Sequence, residues 1–413
     1  MHAEKLPPQT FRRVRPPYRA VRQRPVKVRR RVKTKNIKVI LLQLKYKNIF
    51  ILVAVLMTLS WIITLPFRGR PASDIPLATP ESSVSPTLIP PYVPPAPEPT
   101  PEDLGFAYNV RRQPYKRNNS QLQEIVDELV NIAEEKGLPT GPLSISLIDV
   151  SNPEVHTFAG YKSQVLRYPA SVSKLFWMAA FYGAVEEGLI DDEPRFHQDL
   201  ILMMQKSHND SASRLLDVIT DTKSGVKLEG KKLNTWLEKR KSVNDFFQKA
   251  DYQGLIVSTK NYPRYSPSQK GPVGRDRQLR QKDGKFLRNL ISTDHATRLI
   301  YEIYTRQAVS PKYSRRMAYL LTRDLRPEVW QNDPYNGVES FLGESLPTNI
   351  YFGSKVGLTS EDRMDVAFVR TLDDKAIYIL AIFAEHTAYV DDKEIFPKLS
   401  RHVYDRMIAM GNK

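Results

Sequence analysis

Residues 168–174 read Tyr168-Pro169-Ala170-Ser171-Val172-Ser173-Lys174, and a mainly apolar run without proline, LFWMAAFYGAVEEG, follows at 175–188. The run predicts a long helix beginning just after Ser171. Spacing of three residues puts the Ser171 and Lys174 side chains on one face of such a helix. A serine hydroxyl is a weak nucleophile until a nearby base takes its proton. An amine can be that base if burial and neighbouring cations lower its pKa. A helix N-terminus adds positive potential and free backbone N–H groups for a developing oxyanion. S-x-x-K also recurs by chance in long proteins, as a capping serine and a solvated lysine.

Two further short motifs lie outward from this one. Ser207-His208-Asn209 follows the apolar MMQK and supplies a second hydroxyl and an amide. Lys355-Val356-Gly357 closes an expected strand; it supplies a cation and a glycine that lets a ligand approach the strand edge. Alone, the first reads as a turn and the second as a strand-end lysine. The elements around them alternate in kind. Ser120-Gln121-Leu122-Gln123 reads as a capping box, and apolar residues then recur at helical spacing from Leu122 to Ala133. Leu143–Val150 and Glu154–Tyr161 read as a hairpin, followed by mostly helical sequence to about residue 250. Residues 260–288 hold nine Lys/Arg and two Asp among scattered Pro and Gly and read as a long basic surface loop. Strands are expected at 350–357, 364–371 and 376–384, then a helix over 395–410. The expected fold is α+β: a five-stranded antiparallel sheet flanked by terminal helices, with an all-helical subdomain inserted.

The three motifs, in this order and context, resemble the serine β-lactamase and penicillin-binding-protein superfamily with its S-x-x-K, S-D-N and K-T-G signatures. The resemblance covers roughly residues 118–411 and is nearest to class A. It implies that Ser171 is acylated, that Lys174 activates it, and that Ser207 passes the proton to the leaving nitrogen. Asn209 would bind the substrate amide, and Lys355 would hold its carboxylate and polarise Ser207. The backbone N–H groups of Ser171 and Leu358, beside Gly357, would form the oxyanion hole. Arg363 falls where class A enzymes often place a carboxylate-binding arginine. No metal or cofactor is implied. There are three departures. His208 stands for the aspartate of the second motif, and Val356 for the hydroxyl residue of the third. No E-x-x-L-N is present, so the deacylating glutamate is missing, and its stretch corresponds to the basic segment 260–288. The implied substrates are β-lactams or related cell-wall peptides, by hydrolysis or D-alanyl-D-alanine peptidase-like chemistry. A non-catalytic relative would instead bind wall peptide in the cleft, or acidic wall polymers through the basic loop. Small-amide hydrolysis, as in glutaminases of this fold, is a third alternative.

The rest of the 413-residue chain says where such a domain would work. Its net charge of +17 is concentrated in residues 1–47, which carry sixteen Lys/Arg against Glu4 alone. Asn48–Phe67 is twenty residues without a charge, enough at ~1.5 Å each to cross a ~30 Å hydrocarbon core. Basic residues before it and few after predict a cytoplasmic N-terminus and an uncleaved signal anchor. The catalytic domain would then be periplasmic or extracellular. A tail beside such a segment meets anionic lipid, so no nucleic-acid partner is expected. Residues 68–104 form a Pro-rich linker with eleven prolines in 71–101, which favours an extended spacer of up to about 90 Å. The domain itself is expected over 105–413. With no cysteine, thiolate nucleophiles, thiolate metal sites and disulfides are excluded.

Overall fold

A computed structural model describes residues 117–411 apart from 153–154, 192, 266–267 and 282–285, together with Tyr108, Val110 and Pro114. The basic tail, the apolar segment 48–67 and the Pro-rich linker lie outside the described residues. Among the described residues no helix is long and apolar enough to cross a membrane.

Strand β1 (Arg117–Asn118) leads into helix α1 (Ser120–Glu135). The cap falls one residue before the expected one, because the Asn119 side chain accepts the Leu122 N–H at 3.0 Å. The predicted stripe Leu122, Ile125, Val126, Leu129, Val130 and Ala133 is the buried face of α1. Strands β2 (Leu143–Asp149) and β3 (Thr157–Tyr161) form the hairpin. A 3-10 turn at Ala170–Val172 opens α2 (Ser173–Glu186); α3 (His197–Gln205), α4 (Asn209–Ile219) and α5 (Gly230–Lys249) follow. Then come β4 (Arg264–Tyr265), β5 (Ser268–Gln269), α6 (Gly274–Arg280), α7 (Thr293–Tyr304), α8 (Pro311–Leu321) and the short α9 (Pro327–Trp330). Strands β6 (Ile350–Leu358), β7 (Arg363–Thr371) and β8 (Ile377–Ala384) precede α10 (Thr387–Asp391) and α11 (Ile395–Gly411).

The fold is α+β, as the element order implies, but the sheet has six strands rather than five, in the order β1-β3-β2-β8-β7-β6. The added edge strand is β1, which runs parallel to β3, whereas the other pairs are antiparallel. Two exposed residues carry no alternation, so periodicity could not reveal it. One face of the sheet packs on α1 and α11 through Leu147, Leu380, Leu399 and Val403. The other packs on the helical block, where α2 is buried from Ser173 to Ala184. A helix apolar all round belongs in a core, and α2 is the axis of this one. The segment before β1 is tied to the same core. The Tyr108 phenol donates to Glu302 and lies 3.0 Å from the Tyr252 hydroxyl.

The expectation of a basic surface loop over 260–288 needs correction. The stretch contains the β4–β5 hairpin and α6, and Lys260, Asn261, Asp276 and Leu279 are buried. Carboxylates on α4 neutralise part of its charge. Lys260 meets Asp217 at 2.5 Å, and Arg264 meets Asp210 at 3.3 Å. Leu279 joins Trp236 and Leu237 of α5 in a small satellite core of their own.

Candidate active site

Ala170 and Ser207 hold left-handed backbone conformations, with φ of 45° and 54°. Such strain in non-glycine residues persists only where the surroundings enforce it, and it clusters at functional sites. Here it brackets the Ser-Lys motif on one side and the Ser-His-Asn motif on the other. The two meet at Lys174. Its Nζ is fully buried, 2.9 Å from Ser171 Oγ, 2.7 Å from Asn209 Oδ1 and 3.3 Å from Ser207 Oγ, and it donates to the Ser207 carbonyl. Burial lowers the Lys174 pKa to about 7.

Strand β6 brings the third motif to the same place. Lys355 Nζ is 3.0 Å from Ser207 Oγ and 2.7 Å from the Val356 carbonyl. Burial first, and then the Lys174 and Arg323 cations, hold Lys355 well below its ordinary value, against the pull of Asp365. Ser207 Oγ is thus shared between two lysines. Gly357 lies where β6 touches the 3-10 turn. A Cβ there would sit 2.7 Å from Pro169 O and 3.0 Å from Ser171 N. Glycine is required for this approach, which brings the Ser171 and Leu358 backbones side by side. The Gly357→Ala protein should therefore be acylated by a penicillin on the order of 10²-fold more slowly, with its helical content kept. Stopped-flow acylation and circular dichroism check this; an unchanged rate would remove Gly357 from the site.

Asn209 is placed differently from its expected role. Both ends of its amide are engaged, Oδ1 by Lys174 and Nδ2 by the Pro263 carbonyl at 2.7 Å. In this state it positions Lys174 and pins the β4 segment. His208 caps α4 through its ring nitrogen and stacks on Tyr265. Arg363 does not line the cleft. Lys355 is in register with Val366, so residue 363, an odd number of positions away, points to the opposite face of β7. Its guanidinium donates to Ser340 O and Val390 O, each at 2.7 Å. The buried Asp365 accepts the Leu342 N–H at 3.0 Å. Burial pushes that carboxyl up to about 7. Arg363 and Asp365 thus clamp the 340–342 turn, which puts Phe341 on the cleft wall.

The cleft has a volume of about 400 Å³. Tyr168, Tyr262, Tyr265 and Tyr335 give it aromatic walls, and Lys206, Arg323 and Lys355 give it positive charge. None of the described residues lining it is Asp or Glu. Two wall residues escaped the motif reading. Asn261 donates to Ala170 O and Ser173 Oγ, each at 3.0 Å, and so braces the turn that carries Ser171. Arg323 donates to Gln205 O at 2.9 Å and Met204 O at 2.7 Å, behind Ser207. Neither stands in a recognisable pattern, because each is brought in by the fold from a distant segment.

A sheet with an inserted helical block, and a Ser–Lys pair at the start of its central helix, define a β-lactamase-like chain. It belongs to the β-lactamase enzyme family, whose model matches residues 121–407. Solved structures of similar architecture include a β-lactamase from Sphaerobacter thermophilus. It is 18% identical, with 69% of this chain and 97% of that one covered, at a TM-score of 0.46. Another is a mutant of PBP-A, solved as an acyl-enzyme complex with penicillin G: 14% identical, 73% and 100% covered, TM-score 0.48. The TLA-3 extended-spectrum β-lactamase is 10% identical, with 69% and 98% covered and a TM-score of 0.48. No curated protein matches the chain.

Proposed function

We propose that this chain is a membrane-anchored, extracytoplasmic serine enzyme that acts through an acyl-enzyme on β-lactams or related cell-wall peptides. The observation that carries the proposal is the 2.9 Å contact between Ser171 Oγ and a buried lysine amine titrating at about 7. A neutral amine has two N–H bonds and one lone pair. Asn209 Oδ1 and the Ser207 carbonyl take the two N–H bonds, so the lone pair faces the Ser171 hydroxyl. Lys174 removes that proton as Ser171 Oγ attacks the carbonyl carbon. The backbone N–H groups of Ser171 and Leu358 receive the oxyanion. Lys174 passes that proton on to Ser207 Oγ at 3.3 Å as Ser207 gives its own to the leaving nitrogen, and the carbonyl C–N bond breaks. Lys355 and Arg323 attract the substrate carboxylate, and an arriving anion returns Lys355 toward its charged form. A cleft with no carboxylate among the described residues that line it supports peptidase-like processing of wall peptide over fast antibiotic hydrolysis. Intact mass after incubation of residues 105–413 with a penicillin tests the proposal. One added penicillin mass is expected; no adduct at millimolar penicillin would leave a binding protein rather than an enzyme.

The location rests on the charge asymmetry around Asn48–Phe67 and on the proline-rich spacer after it. Protease added outside intact cells should remove the domain and leave the basic tail protected. A domain that survives until the cells are lysed would reject both the anchor and the wall substrate.

A further inference from the structure

The positive charge of the folded part is segregated. Residues 223–288 carry seventeen Lys/Arg against six Asp/Glu, while the rest of 117–411 carries twenty-three against thirty-three. A domain of nearly balanced charge is therefore strongly dipolar. The positive region coincides with the satellite lobe of α5 and α6, which has its own small core of Trp236, Leu237 and Leu279. The catalytic reading uses nothing on its outer surface.

That surface is continuous. The Arg275 N–H donates to Gly225 O at 3.1 Å, its Nε donates to Val226 O at 3.2 Å, and Gln278 bonds both backbone groups of Leu228. The 223–232 segment and α6 are thereby one face. Lys223, Lys227, Lys231, Lys232 and Arg277 are exposed on it and make no ion pair among the described residues. The arrangement does not serve stability. Lys231 and Lys232 occupy the first turn of α5, the positive end of its dipole, and Glu229 makes no side-chain capping bond there. Cations gathered where they repel one another and the helix dipole indicate an anion that arrives from outside.

We infer that this lobe binds a flexible, linear polyanion with closely spaced phosphodiester charges, beyond the reach of the catalytic cleft. A bilayer is the poorer fit. Membrane-surface elements present Trp, Phe or Leu beside their lysines. Here Trp236 and Leu237 are buried, at 6% and 7% exposure, and the apolar side chains exposed beside the lysines are Val226 and Val273. The one exposed Phe among the described residues of 223–288, Phe286, is flanked by the Arg280 and Arg288 guanidiniums, 5.8 and 5.9 Å from its ring, rather than free to enter a bilayer. A polymer requires only spaced cations, and its affinity comes from counterion release. Held on such a polymer, the cleft would work near its wall substrate without consuming the polymer.

The test uses the full-length protein in detergent and poly(glycerol phosphate) as the probe. The Lys223→Glu, Lys227→Glu, Lys231→Glu, Lys232→Glu variant is compared with Lys312→Glu, Lys375→Glu, Lys393→Glu, Lys398→Glu, which changes as many exposed cations elsewhere. The basic tail contributes equally to all three proteins. The lobe variant should lose at least about tenfold in affinity, and its log–log salt slope should fall by about 3, at roughly 0.7 per lost phosphate contact. Penicillin labelling should be unchanged, which separates this result from failure of the catalytic reading. If the reversal misfolds, the same four lysines changed to Gln give the smaller loss in the same direction. Three results would overturn the inference: lobe-variant affinity within twofold of the parent, an equal loss in the control variant, or phosphatidylglycerol vesicles competing better than the polymer.

Discussion

Covalent labelling by a penicillin is expected to vanish in the Ser171→Ala protein and to persist in Ser173→Ala. The two hydroxyls are two residues apart, but their surroundings differ. Ser173 is fully buried, donates to Ala170 O at 2.8 Å and accepts from Asn261, so it is committed to the turn. Ser171 is part-exposed on the cleft wall with a lysine amine at its oxygen. Lys174→Ala should then slow acylation by about 10²–10⁴-fold, the usual worth of a positioned base. Far-UV circular dichroism should show the fold retained. The pH dependence separates a base from a structural lysine. The neutral amine is the active form, so the acylation rate should climb through about pH 7 and level off above it. A lysine at its ordinary value would keep the rate climbing toward pH 10. Labelling that survives in Ser171→Ala would put the nucleophile elsewhere. A rate independent of pH between 6 and 8 would remove Lys174 as the base.

How far the sequence reached follows from what each element had to say locally. α1 states its buried face in its own periodicity. β2 was legible as a strand from its alternation, although both of its faces, Ser144 and Ser146 included, are buried. The Ser171–Lys174 pair was legible because helix geometry fixes it within one turn. Ser207 and Lys355 could be read as partners only through the order of the three motifs, since nothing local places residues 148 positions apart at 3.0 Å. β1 was invisible because a two-residue edge strand has no period. The 260–288 stretch misled through its composition. Its charges read as solvated, whereas Asp210 and Asp217, some fifty positions earlier, draw Arg264 and Lys260 inward. Arg363 failed for a reason of parity. Position along the chain put it near the third motif, but strand alternation turned it to the other face, where it holds the turn beneath Phe341.

The acyl-enzyme, once formed, should persist for minutes or longer. Its hydrolysis requires a water activated beside the ester, and a general base there is worth roughly 10²–10⁴-fold. Among the described residues lining the cleft no carboxylate can play that part. Asp276, an acid of the neighbouring stretch, is buried beside Arg240 at 3.8 Å and does not line the cleft. Tyr262 does line it, but burial pushes its phenol up to about 12, so it stays protonated at neutral pH. Asn261, against the Ser171 turn, is an amide and no base. His208 lines the cleft too, but its Nδ1 accepts the Ser211 N–H at the α4 cap, its Nε2 faces Asp210 at 3.9 Å and its ring stacks on Tyr265. Lys174 has its N–H bonds directed at Ser207 and Asn209. Mixing with a chromogenic cephalosporin should therefore give one rapid equivalent of product and then almost none. Mass spectrometry of the protein should find the adduct still present minutes after free drug is removed. Steady turnover at ~10 per second or more, an ordinary enzyme rate, would sink this expectation. Asp283→Asn, outside the described residues, and Lys174 variants assayed after acylation would then identify which group activates the water.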